Sequence, residues 1–453
     1  MALLLGLLNP GFMKGIILYS FLFLTAVSST AQEVWTLQQC LETGLKNNLD
    51  FQIRQLDILS AETVHRNPLM EYLPQASISG SHSYSIGSTI DPATNARVSS
   101  HIQSDNVALN ANMSILDFNI FTTARRNKIA LLKAKADKEA TTAEYSLSIL
   151  ENYFNVLYTQ ELLKIQQSQF ENAKFNLKRI EKEVEIGSKP KSDLYDMQVS
   201  YAQEENGIIA TEQLLYNQKI TLIQLMNRPD VLPDNLLVEN TTMPQYTIKP
   251  ESEVYKNALK NYPAIKAAQL QQDVERKNIT IQKNNYLPVI SAFYSYSSFY
   301  YLPLNQTGGQ MVNPFWSQLN DNKNHYIGLQ ATIPIFNGLR THRDVQLAKV
   351  AHQKSIVLAE QEKIKLRQTI EQETAKQQQN TLVALKLEST RNYAQKSFET
   401  TQAKFTSGLV EAIVFTGSKN QLLNAEYNLL KAKVTLAYLA LELNYIQYST
   451  FMY

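Results

Sequence analysis

Two rhythms of apolar and polar positions run along this chain, and each predicts its own kind of element. The shorter has a period of two. In YIGLQATIPIFNG (326–338), Ile327, Leu329, Ala331, Ile333 and Ile335 alternate with Gly328, Gln330, Thr332 and Pro334. That is the pattern of a strand with one greasy and one wet face. Three more stretches alternate alike, so strands are expected over about 75–87, 106–117, 289–301 and 325–336. Their apolar faces carry Ile78 and Tyr84, then Leu109, Met113 and Ile115, then Tyr294 and Tyr296, then Leu329, Ile333 and Ile335. Serines and asparagines such as Ser77, Ser79, Asn110 and Ser295 take the other face.

The longer rhythm is a 4,3 spacing: Ala136, Ala140, Ala143, Leu147, Leu150, Phe154 and Leu157; then Phe170, Ala173, Leu177, Ile180 and Val184; and, near the end, Leu422, Ala425, Leu429, Ala432, Leu436, Leu439, Leu443 and Ile446. Heptads of this kind pack helices side by side along a narrow seam. The segments that carry them are long. Asn119–Ile186 spans 68 residues and Leu339–Ser407 spans 69, neither with a single Gly or Pro. Each would be about 100 Å long as one helix. Outside the seams stand Lys, Glu, Gln, Asn and Thr, as in EQETAKQQQN (371–380), so both sides of such a rod are wetted.

The order of elements occurs twice. LKNNLDFQIRQL, from Leu45, realigns with LKNYPAIKAAQL, from Leu259, at a shift of 214. LNANMSILDF, from Leu109, realigns with LQATIPIFNG, from Leu329, at a shift of 220, and Gly187 falls against Gly408. Such self-similarity marks a duplication. Each copy reads helix (about 37–72 and 251–285), strand, loop (88–105 and 302–324), strand, very long helix, glycine turn, returning helix. The first repeat occupies 32–228, with a helical hairpin over about 119–228. The second occupies 251–447, with its hairpin over about 339–447. The proline-studded 229–250 reads as a connector and 448–453 as a tail.

Composition narrows the picture. The chain of 453 residues has 14 Gly, 14 Pro and a net charge of +2. Few breakers favour long helices, and so little net charge advertises no nucleic acid. Residues 1–31 end in Lys14, an apolar run and the small residues SSTA, the layout of an export signal with the mature chain starting near Gln32. The single cysteine, Cys40, has no partner in the chain and is expected buried in a helix. The six histidines have no paired-ligand spacing, and no HExxH, P-loop, GxGxxG or GxSxG occurs. No catalytic residue, cofactor or metal is expected.

An alternating strand fits a soluble sheet or a membrane barrel. Here the helices offer no broad apolar face to cover four strands, which favours lipid on the greasy side and water on the other. Four strands cannot close on themselves, and open edges in lipid would leave backbone groups unpaired at several kcal/mol each. Closure therefore asks for identical copies. Two would give eight strands, too narrow for a channel, and three would give twelve, with room for water. A second reading, a soluble periplasmic coiled-coil adaptor or scaffold, accounts for the hairpins and the signal but not for the strands.

The opening WTLQQCLETGLKNN (35–48), YLP before the first strand of each half, IPIFNG (333–338) and the two glycine turns resemble the TolC-like outer-membrane efflux family. The resemblance covers essentially the whole mature chain. It implies a mainly α protein with a small β part, and a homotrimer whose twelve strands form one barrel in outer-membrane lipid above a long α-helical periplasmic tunnel. Such a tunnel docks on a periplasmic adaptor and an inner-membrane pump. Family members often place an Asp six residues after the turn glycine, at the tunnel tip. Asp193 stands there, with Asp196 nearby, whereas the second half has Val414 and, at the next position of the pattern, Gly417. Asp193, Asp196 and Glu411 are thus candidates for a gate or ion filter, while Asp193 equally suits the start of the returning helix. Gly187, Ser188, Lys189 and Pro190, with Gly408, Leu409, Val410 and Glu411, are the candidate adaptor contacts.

Overall fold

The computed structural model describes residues 33–66, 68–90, 95–240, 249–304 and 312–451. The expected export signal lies outside them.

Two helical hairpins and one sheet make up the bulk of the fold. The first hairpin joins α3 (Phe118–Glu185) to α4 (Lys191–Met226), and the second joins α8 (Arg340–Thr406) to α9 (Ala412–Tyr448). At 68 and 67 residues, α3 and α8 are each about 100 Å long. The 4,3 positions form the seams: Ala136, Ala143, Leu150, Phe154 and Leu157 are buried on α3, and Leu422, Ala425, Ala432, Leu439, Leu443 and Ile446 on α9. The Asp117 carboxylate starts α3 by accepting from the Asn119 amide at 2.8 Å, satisfying one donor that the first turn leaves free.

Each half also contributes shorter helices: α1 (Leu37–Asn47) and α2 (Leu49–Arg66) in the first, α5 (Glu251–Asn261) and α6 (Pro263–Asn284) in the second. A single helix was expected over each stretch, 37–72 and 251–285. The breaks fall at Asn48 and Tyr262, which are the same position at the shift of 214. Asn48 ends one helix and caps the next, its Oδ1 accepting from the Phe51 amide at 3.0 Å. In the second half Pro263 opens α6, where a missing N–H costs nothing.

The four long strands are β2 (Gln75–Ile90), β3 (Arg97–Leu116), β5 (Val289–Pro303) and β6 (Asn324–Thr332). They form one antiparallel sheet in the order β2-β3-β5-β6, with β2 and β6 at its edges. Gln75 pairs with Asn112, and Val289 with Thr332. Shifting the first pair by 214 and 220 yields the second, so both hairpins have one register.

The first hairpin extends well beyond its expected strands, into the stretch 88–105 expected as loop. Its upper part is rich in Ser, His and Gln, so the pairing continues after the apolar alternation has stopped. The last strand is shorter than expected. It ends at Thr332, opposite the first residue of β5, and Pro334 has no N–H to carry a ladder on. Ile333 and Ile335 therefore lie beyond the strand in which they were placed.

The connector is partly structured. Within it β4 (Leu236–Val238) pairs in parallel with β1 (Glu33–Trp35). This small sheet sits against the middle of α3. The Gln160 side chain donates to the Val238 carbonyl (3.1 Å) and accepts from the Val238 amide (3.2 Å), while the Tyr153 hydroxyl lies 2.7 Å from the Glu239 carbonyl. The core around it holds Trp35, Cys40, Leu150, Tyr153, Leu222, Met226 and Leu236. Burial pushes the Cys40 thiol up to about 12, leaving it an inert core residue.

Candidate functional site: membrane sheet and helical tip

The register sorts the sheet's side chains into two faces. One carries the rows Ala76–Ala111–Tyr294–Ile327, Ile78–Leu109–Tyr296–His325 and Met113–Ala292–Leu329. The other carries Ser77–Asn110–Ser295–Tyr326, Ser79–Ala108–Ser297–Asn324 and Ser114–Ser291–Gln330. Seven of the ten residues expected to face lipid (Ile78, Tyr84, Leu109, Met113, Tyr294, Tyr296 and Leu329) share the first face. Ile115 sits at a bulge, where Ser114 pairs with Ser291 and Leu116 with Ile290.

Among the described residues no helix covers this part of the apolar face: Ile78 is 78% exposed, Ile327 79% and Leu329 72%. Cross-strand contacts hold each face in register. On the polar side Asn110 donates to Ser79 Oγ (3.3 Å) and Ser295 Oγ donates to Asn110 Oδ1 (2.8 Å). There too the Phe293 ring lies over Gly328, so close that a Cβ would stand 2.6 Å from it. On the apolar side the His325 ring packs tilted against Tyr296 at 4.7 Å and lies 2.9 Å from the Tyr294 hydroxyl. His82 and Asp105 pair across β2 and β3 where the apolar alternation of β3 gives way to Gln103 and His101.

At the opposite end both hairpins turn in one way. Gly187 and Gly408 each take φ +75°, which glycine adopts without strain. Ser188 N donates to Glu183 O (2.8 Å) and Gly187 N to Val184 O (3.1 Å); Leu409 N donates to Lys404 O (2.8 Å) and Gly408 N to Phe405 O (3.1 Å). Both are Schellman closures, which satisfy the last carbonyls of a helix. Under the turns lies a small core of Ile180, Met197, Phe405, Ala412 and Phe415, flanked by Val184, Leu194 and Val410. Leu409 stands clear of it at 74% exposure.

The two candidate acids are placed differently. Asp193 is 3% exposed in the first turn of α4, with Lys189 Nζ 3.5 Å from its carboxylate. Lys189 also lies over the Phe405 ring, 5.4 Å from its centre. Asp196 is partly open to solvent, and Glu411 is exposed at the N-cap of α9.

Two features escaped the sequence reading. Lys419, on α9, is buried and pairs with the half-buried Glu204 on α4, so an ion pair joins the returning helices of the two hairpins. On α9 also, Glu442 lies near Glu373 and Lys376 of α8, Tyr438, and Glu151 of α3, and burial first, then Glu373, pushes its carboxyl up to about 7. Neither has a motif; each shows only as a charged residue within an apolar seam.

A four-stranded sheet greasy on one face and wet on the other, rooted in two hairpins of about 100 Å, defines an outer-membrane channel subunit rather than an enzyme. The chain belongs to the outer membrane efflux protein family, whose model matches residues 41–228 and 254–443. Comparison with curated protein sequences gives no match. Solved structures with the same fold include VceC of Vibrio cholerae, at 15% identity and TM-score 0.76, covering 92% of this chain and 97% of that one. The CmeC channel of Campylobacter jejuni shares 17% identity at TM-score 0.75, over 92% and 86%. The open state of the MtrE channel of Neisseria gonorrhoeae shares 16% at TM-score 0.71, over 93% of each. The protein is an outer-membrane efflux channel with a long periplasmic helical extension.

Proposed function

We propose that three copies of this chain close one twelve-stranded barrel, four strands each, and join their hairpins into a single periplasmic tunnel. The trimer is a passive conduit whose tip docks on a periplasmic adaptor and, through it, on an inner-membrane pump. One observation carries this reading: the sheet is open at β2 and β6 while its apolar face is bare. Water does not suit that face, and lipid does not suit those edges. Both demands are met when the β6 edge of one copy pairs with the β2 edge of the next.

At the tip we assign adaptor contact to the turns themselves, with Leu409 as the exposed apolar knob and Gly187, Ser188, Pro190, Gly408, Val410 and Glu411 around it. Lys189 and Asp193 act inward, holding the turn on the Phe405 ring. Asp196 is the better candidate for an ion filter, because a filter carboxylate must meet water and Asp193 is buried with a cation beside it.

Reconstitution in planar bilayers tests the reading. The purified protein is expected to have a trimer's mass in detergent and to conduct with cation preference. Asp196→Asn should weaken that preference and Asp193→Asn should leave it nearly unchanged. A non-conducting monomer would overturn the channel, and the reverse ranking of the two variants would return the filter to Asp193.

A further inference from the structure

The strand lengths leave part of the junction between copies without a strand. β2 has sixteen residues and its expected neighbour β6 has nine. Both lie with their lower ends at the helix roots, so the surplus of β2 is its upper part, with Tyr84, Ile86 and Ile90. These share the outward face, and Ile86 and Ile90 are 77% and 62% exposed.

The place that β6 vacates beside the upper part of β5 is taken by a short helix, α7 (Phe315–Asp321). Its Gln318, 5% exposed, imitates a strand: it accepts from the Tyr301 amide (3.1 Å) and donates to the Tyr301 carbonyl (3.0 Å). Asn322 donates to the Phe299 carbonyl (2.8 Å), and Ser298 Oγ donates to the Leu319 carbonyl (2.6 Å). Phe315 packs edge-on against Tyr300 at 4.9 Å, which sets the aromatic side of α7 on the outward face. Next to it Trp316 is 78% exposed, with Phe315 as its one aromatic neighbour among the described residues.

Resting on the trimeric barrel proposed above, we infer that α7 is a clasp between copies: Trp316 of one copy covers Tyr84, Ile86 and Ile90 of the next copy's β2. The occupant is a second copy of this chain because α7 continues the line of β6, the edge that closes the barrel. Whatever pairs with β6 below must meet α7 above. Large apolar side chains then stand bare at one level on both sides of one junction, and their contact removes both from water. Within one chain α7 and β2 lie on opposite edges of the sheet, about 14 Å apart by strand spacing, so a close contact between them reports two copies.

Cysteine cross-linking tests it in the full-length protein, where buried Cys40 gives little background. With Trp316→Cys and Ile86→Cys in one chain, a short bismaleimide is expected to yield covalent dimers and trimers on a denaturing gel. Trp316→Cys with Ile78→Cys, about 26 Å lower on the same face, is expected to yield none. In the parent protein Trp316 fluorescence should resist quenching by brominated lipids. A trimer by mass that fails to cross-link at 316/86, or cross-links equally at 316/78, overturns the clasp and leaves the channel standing. Strong quenching also overturns it, placing Trp316 in lipid. A monomeric mass overturns the trimer and the clasp together.

Discussion

Glu442 shows how one carboxyl in a helical seam ties stability to pH. Its raised pKa has burial as the first cause and Glu373 as the second, with Lys376 and the Tyr438 hydroxyl only partly offsetting them and Glu151 adding to the rise. An acid raised from its ordinary 4.5 to about 7 binds its proton more tightly in the folded chain than in the unfolded one. Stability therefore increases as pH falls from about 7 towards 4.5, and the full penalty is present above about 7. Glu442→Gln removes the charge and keeps the shape. It should stabilise the helical part at pH 8 by on the order of 1–3 kcal/mol and lose that advantage near pH 5. Melts followed by helical circular dichroism at both pH values check this; a Gln variant no more stable than the parent at pH 8 would show that water reaches the group. Two glutamines illustrate the opposite device, a neutral polar group fully used. Gln160 pairs with both backbone groups of Val238, and Gln318 with both of Tyr301, so each completes a strand edge that no strand covers among the described residues.

Among the elements, the hairpins depend on each other through Lys419 and Glu204. Lys419 is 2% exposed, and Ser200 Oγ donates to the same Glu204 oxygen at 3.2 Å. Removing Lys419 leaves the partly buried Glu204 carboxylate without its cation. Lys419→Met is thus expected to cost about 1–3 kcal/mol, and adding Glu204→Leu should recover most of it. Urea titration of the parent, the single and the double variant decides: a double variant as weak as the single would mean that packing, not charge, is at stake.

How far these elements could be read from the sequence follows their physics. The long helices and their turns were legible because breakers are absent over nearly 70 residues and then a glycine appears. The apolar parts of the strands were legible because lipid demands strict alternation. Only 88–90 of β2 and 97–105 of β3, where that alternation lapses, passed for loop. The breaks at Asn48 and Pro263 were visible as a cap and a proline, but the apolar rhythm runs on across them. The pairing of β1 with β4 joins two three-residue strands some 200 positions apart, which no local pattern reveals. At the tip, the position of Asp193 was legible while its burial was not, because the Lys189 beside it lies over Phe405 from the other hairpin.

For the whole molecule, the free β6 edge is the feature on which function turns. Tyr301 and Phe299 direct their backbone groups to the β6 side of β5, as their bonds with Gln318 and Asn322 show. Odd-numbered β5 residues therefore bond to even-numbered β6 residues, from Val289 with Thr332 to Ser297 with Asn324. The odd-numbered residues His325, Ile327, Leu329 and Ala331 then aim their N–H groups away from their own sheet, towards the side where the proposed trimer has its next copy. Proline at Ile327 deletes one such donor and none that the single chain uses. Ile327→Pro is expected to keep the helical circular dichroism of the parent and the contacts of its own hairpin. It should lose the trimer's mass in detergent and the conductance in bilayers. Gln330→Pro breaks a bond within the chain instead, so it should damage the hairpin first and assembly only as a consequence. An Ile327→Pro protein that still assembles and conducts would mean that the barrel closes along some other edge.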